Sequence, residues 1–165
     1  MILVCAPIPG FFIAARYTDS KEATNPKIRP LIVAITLLIA VVFFPVMYYC
    51  SMFWLSVVSM FFDYTIGEIY LPIGFVIALN VTTPRIRALQ TGIILFFSTI
   101  FASIAVLILG HVESAYGGAG LTLGLTLVTT IGYFLAGLLF LYGTVVYPND
   151  LIVDSDEPFT RSALY

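Results

Sequence analysis

The sequence predicts an all-α protein, a multi-pass bundle of membrane-spanning helices, and three observations carry that expectation. Of 165 residues, 61% are apolar and 15% aromatic, while only 10% are charged. A soluble domain carries about 25% charged residues, so this chain lacks the side chains to coat a surface facing water. The charges it has are clustered. Between Pro30 and Pro84 only Asp63 and Glu68 are charged, and the 36 residues from Ser114 to Asn149 carry no charge. The uncharged runs are apolar on every face and exceed the roughly 9–11 residues of a barrel strand. Backbone groups unsatisfied in lipid are costly, so helices are expected.

A crossing helix needs about 20 mostly apolar residues to cover roughly 30 Å of hydrocarbon. The transmembrane region is expected over residues 1–147, with spans at about 31–50, 55–80, 89–110 and 121–147. Residues 1–15 form a partial span, interrupted by Pro7 and Pro9, that would reach only about 22 Å. Ile13-Ala14-Ala15 offers the small residues of a signal-peptide cleavage site, but no basic residue precedes the apolar part, as a signal peptide requires. We therefore expect the end of a longer helix and a truncated chain. Pro30 suits a helix start, where a missing N–H costs nothing. Pro45 and Pro72 lie inside spans and predict kinks. Pro84 closes the second full span, with Asn80, Thr82 and Thr83 marking its exit. In the last span, Gly120-x-x-x-Gly124 and Gly132-x-x-x-Ala136, with Gly137 beside it, allow close helix approach. That serves either packing within the bundle or a dimer seam. Residues 148–165 read as an acidic, disordered cytosolic tail, with Asp150, Asp154, Asp156 and Glu157 against one Arg161.

Orientation follows from the basic residues. Arg16, Lys21, Lys27 and Arg29 share a loop over 16–30, Arg85 and Arg87 share a second, and Arg161 is in the tail. Alternating spans place all seven on one side, which the positive-inside rule assigns to the cytosol. The carboxyl terminus is then cytosolic. A 111–118 loop with His111, Glu113, Gly117 and Gly118 lies outside. The expected location is a plasma or endolysosomal membrane, with membrane lipids as partners.

Glu68 is the most informative single residue. It lies mid-span, where an acid costs on the order of 2.5–3.5 kcal/mol on insertion scales. Such a group persists only when it faces the bundle interior, a cavity or a partner. The expected role is proton coupling or substrate contact; the alternative is a neutral acid bonded to a neighbouring helix. Asp63 lies five residues earlier beside Tyr64 and completes the candidate site, although a hydrated acid at the rim is the plainer reading of Asp63. Tyr48, Tyr49 and Trp54 read as interface anchors, and Tyr70 as anchor or cavity lining.

Other chemistries find no footing. Seven basic residues at a net charge of −2 give no footprint for nucleic acid. Cys5 and Cys50 make neither a disulfide framework nor a zinc site, and His111 has no ligand partner. The sequence holds no metalloprotease, nucleophile-elbow or phosphate-loop motif. No enzyme and no cofactor is expected.

Two loops resemble a known family. Gly10-Phe-Phe-Ile-Ala-Ala-Arg16-Tyr-Thr-Asp-Ser20 is similar to the Gly-x-x-x-Asp-Arg cytosolic signature of the major facilitator superfamily, with Arg16 at its basic position and Ala15 where an Asp is usual. Asn25-Pro26-Lys-Ile-Arg-Pro30, then Gly67-Glu68, then Val81-Thr-Thr-Pro84-Arg85-Ile-Arg87-Ala-Leu-Gln90 resembles the carboxyl-terminal half of spinster-like transporters. The usual Gly-Asp near the end of the eleventh helix is absent, and Gly110-His111 stands nearby. The resemblance implies a partial major facilitator fold: the end of helix eight, helices nine to twelve, and a tail. It further implies the carboxyl-terminal part of a secondary transporter moving an organic, lipid-like solute by alternating access. Substrate would lie between two six-helix halves, so missing amino-terminal helices or a partner chain would be needed for transport. On that reading Arg16 anchors a cytosolic loop, and Arg85 and Arg87 serve the cytosolic gate or bind lipid headgroups. The rival is a small tetraspan scaffold or adaptor without transport activity, in which Glu68 is structural.

Overall fold

The computed structural model describes residues 6–22 and 24–151, and among them every regular element is helical. In chain order these are α1 (Pro7–Glu22), α2 (Ile28–Ala40), α3 (Phe43–Tyr49), α4 (Phe53–Gly67), α5 (Tyr70–Asn80), a 3₁₀ turn (Pro84–Ile86) and α6 (Arg87–Asp150). Three helical segments are long and apolar enough to cross a membrane: Ile28–Tyr49, Phe53–Asn80 and Pro84–Asp150. The architecture is all-helical among the described residues and compatible with an integral membrane protein.

Each of the first two segments is two helices in series, and proline sets both breaks. A proline has no N–H for the carbonyl four residues earlier. Pro45 leaves the Val41 carbonyl without that partner, and the chain turns at 41–42 between α2 and α3. Pro72 does the same to Glu68, and the break falls at 68–69 between α4 and α5. There the Leu71 N–H takes over the Glu68 carbonyl at 3.1 Å. One sequence-encoded break thus positions the acid of greatest interest.

The third segment is longer than any single crossing. Its 67 residues would extend about 100 Å at 1.5 Å per residue. It is broken at Gly117, where φ is +70° and ψ −167°, a conformation open to glycine alone. Beyond it the chain bends back. A Cβ on Gly124 would sit 3.4 Å from Leu109 Cδ2 and 3.6 Å from Val112 Cγ1, although a straight helix would separate 109 from 124 by about 22 Å. The two limbs, 87–116 and 118–150, occupy the places of the two expected spans. The expected 111–118 loop is helical except at Gly117, with His111 and Glu113 exposed on the helix.

The loop expected over 16–30 is also shorter. α1 runs to Glu22 and α2 starts at Ile28, so Arg16 and Lys21 belong to α1 and Arg29 to the first turn of α2. The partial span read at 1–15 is helical from Pro7, and its first five residues lie outside the described ones. α6 continues past Pro148 to Asp150, while the tail from residue 152, Arg161 included, lies outside the described residues.

The centre of the bundle is α2. Pro30, Val33, Ala34, Leu37 and Ala40 are buried, spaced three and four apart so that one stripe faces its neighbours. The 118–150 limb lies close against it: a Cβ on Gly137 would meet the Leu38 side chain at 2.9 Å. Gly137 thus does the packing expected of that small-residue run, whereas Gly132 faces open space. The 87–116 limb is different. Phe96, Phe97, Phe101, Val106, Leu107 and Ile108 are all exposed on it. An apolar face of that extent is foreign to a water-soluble monomer and ordinary for a helix whose solvent is lipid.

Candidate functional site

Four chain segments meet at one end of the bundle. Arg29 is buried and pairs with Asp19 at 2.9 Å and with Glu22. Asn80 Nδ2 donates to Glu22 Oε1 at 3.3 Å and to the Tyr147 hydroxyl at 2.9 Å. The Tyr147 hydroxyl in turn donates to Glu22 Oε1 at 3.4 Å. One polar cluster therefore ties the end of α1, the start of α2, the end of α5 and the end of α6. The neighbouring turn is built on freed helix-end carbonyls. Thr82 Oγ1 and Gln90 Nε2 both donate to the Ala78 carbonyl, at 2.9 and 2.8 Å, and Arg87 Nε donates to the Thr82 carbonyl at 3.2 Å. All six described cationic residues lie on α1, on the bend after it, at the start of α2 or on this turn. Arg16 and Arg85 are exposed, and the ion pairs among the described residues belong to Arg29. Arg16, expected to anchor the loop, is exposed, while Arg29 pairs with acids ten and seven residues earlier.

Towards the opposite end, near the turn at 50–52, α3, α4 and the 118–150 limb border an open cavity of about 480 Å³. Asp63, Tyr64 and Glu68, the three residues singled out at membrane depth, all line it. Asp63 is only 8% exposed, which corrects the reading of a hydrated rim acid. Ser59, Asp63 and Gly67 form the buried face of α4, one helical turn apart each. Gly67 leaves room for the acid: a Cβ there would lie 3.0 Å from Asp63 Oδ1 and 3.3 Å from Tyr133 Cε1. That Oδ1 is buried with no hydrogen-bond partner, a costly state for a carboxylate oxygen.

The other walls are aromatic. Phe44 meets Tyr133 edge to face at 4.8 Å between centroids, and Tyr70 meets the same ring at 6.1 Å. Tyr48 lines the cavity and so is not simply an interface anchor, whereas Tyr49 and Trp54 are exposed. Tyr133 was not anticipated. Its signal was a polar stripe, Thr126, Thr129, Thr130 and Tyr133, at helical spacing in a span without charge. Among the described residues no three His, Cys, Asp or Glu side chains are grouped to hold a metal ion.

Compared with known proteins, the chain matches no family model, no curated protein and no solved structure.

Proposed function

We propose that the chain works as part of a secondary transporter of the major facilitator kind, spinster-like in its motifs, moving an organic, lipid-like solute by alternating access. Glu68 and Asp63, with Tyr64, contact the solute or a coupling proton. The observation that carries this reading is the pairing of opposites along one bundle. A cavity holding two acids lies toward one end, and the Arg29 cluster ties the other. Glu68 precedes Asn80 by 12 residues, about 18 Å along a helix, so the two features are separated along the axis. That is the layout of a site open toward one face while the opposite face is held shut. The broken helix at 68–69 agrees with the discontinuous helices that form transporter sites. Arg85 and Arg87, on the turn beside the cluster, serve the closed gate or lipid headgroups there.

Thiol labelling tests this without knowledge of the solute. In a chain with Cys5 and Cys50 replaced by Ser, Thr129→Cys places a thiol on the cavity wall. In membranes that also hold the amino-terminal helices or partner chain this reading requires, alternating access predicts that a membrane-impermeant maleimide reaches it in both right-side-out and inside-out vesicles. Glu68→Gln should then shift the ratio of the two labelling rates by at least about threefold, since a mid-membrane carboxylate biases the two states differently. Labelling from one face only, unchanged by Glu68→Gln, contradicts the proposal and favours the tetraspan scaffold.

A further inference from the structure

The cavity carries information about the charge of its occupant. Two carboxyl groups line it, and among the described residues no Lys, Arg or His does. Arg29, the buried cation among the described residues, is committed to Asp19 and Glu22 at the other end. Asp63 is more than nine-tenths buried, lines the cavity and has an oxygen without a donor. A buried acid of this kind is stabilised by a partner of opposite charge, and among the described residues none lines the cavity.

The walls narrow the chemistry. Phe44, Tyr48, Tyr64 and Tyr133 present aromatic surface to the same space. Ring faces attract a cation within roughly 6 Å, more strongly where water is excluded. Tyrosine hydroxyls and Thr129 add a few polar groups to an otherwise apolar lining, the usual make-up of an organic ligand site. The volume of about 480 Å³ is far larger than a bare metal ion needs and lies within the range of roughly 300–1,000 Å³ for organic ligands.

We propose that the cavity binds an amphipathic organic cation, its positive centre at Asp63 and Glu68 and its apolar body against Phe44, Tyr48 and Tyr133. This deepens the transport reading and rests on it, since the cavity is taken as the solute site. It fixes the sign of the solute's charge.

The test is equilibrium binding to the full 165-residue chain in lipid nanodiscs, against empty nanodiscs, with radiolabelled tetraphenylphosphonium. Tetraphenylborate, of matching shape and opposite charge, is the comparison. Saturable binding of the phosphonium, not displaced by the borate, is expected. Asp63→Asn and Glu68→Gln should each weaken it at least about tenfold, as loss of a desolvated charge contact does. Tyr133→Phe keeps the ring and should stay within about threefold, while Tyr133→Leu should not. The wild-type comparison of the two ions decides the sign even if an acid variant fails to fold. Equal binding of both, preference for the borate, or no saturable phosphonium binding overturns the assignment. Two-sided labelling of Thr129→Cys would survive that outcome, whereas phosphonium binding with one-sided labelling would instead overturn transport and leave the cation site standing.

Discussion

Replacing Arg29 by Met is expected to destabilise the protein by about 3 kcal/mol, the lower end of the cost of breaking a buried ion pair by removing one partner. Met keeps much of the side-chain volume, so the loss is electrostatic. It strands Glu22, which is largely buried, while Asp19 remains two-thirds exposed and can turn to water; the lower end follows from that exposure. The loss also reaches Asn80 and Tyr147, which bond the other oxygen of the same carboxylate, Glu22 Oε1. Reversible unfolding in mixed micelles reads the change. Adding Glu22→Gln to Arg29→Met should restore part of it, because the stranded charge is removed while an oxygen for Asn80 is kept. If the double variant is less stable than Arg29→Met by the full cost of Glu22→Gln alone, the two residues are not coupled.

A comparable effect is expected at Gly10. A Cβ there would clash with the Thr65 carbonyl oxygen, which is backbone and cannot swing aside. The approach of α1 to α4 is fixed on both sides, since Thr65 Oγ1 also donates to the Ala6 carbonyl at 2.9 Å. Gly10→Leu must push the helices apart and should cost about 3 kcal/mol, the upper end for overpacking. Gly132→Leu, where nothing lies within 4 Å, should change stability by less than about 0.5 kcal/mol. Equal losses at the two glycines would mean that α1 does not press on α4 as described.

What the sequence made legible was whatever depends on local chemistry. Pro45 and Pro72 predicted breaks because a missing N–H acts on a carbonyl a fixed four residues away. Glu68 stood out because a charge in an apolar run has few physical excuses. The glycine contact at Gly137 followed from the spacing of small residues, whereas the buried stripe of α2 lay hidden in a span apolar on every face. Harder to read was anything set by a partner distant in sequence. Arg29 looked like one of four loop cations, and only the approach of Asn80 and Tyr147 to Glu22 makes it a buried anchor. Asp63 looked like a rim acid because depth along a helix does not reveal which face is covered. The end of α1 from Arg16 and the 111–118 stretch were read as loops because polarity marks where water begins, and a helix can continue into water. The exposed Arg16, Lys21, His111 and Glu113 show that difference.

The central physical claim is that lipid surrounds these helices, with the cationic bends at one face. The hydrogen bond from Asn80 to Glu22 already requires the bend after α1 and the bend after α5 to lie at the same end. Single cysteines at Lys27, Ser51 and Arg85, all exposed, in a background with Cys5 and Cys50 replaced by Ser, measure it in sealed membrane vesicles with an impermeant thiol reagent. Lys27→Cys and Arg85→Cys should label from one face, and Ser51→Cys from the other. Labelling of Lys27→Cys and Arg85→Cys from opposite faces, or recovery of the chain as a detergent-free soluble monomer, would contradict it.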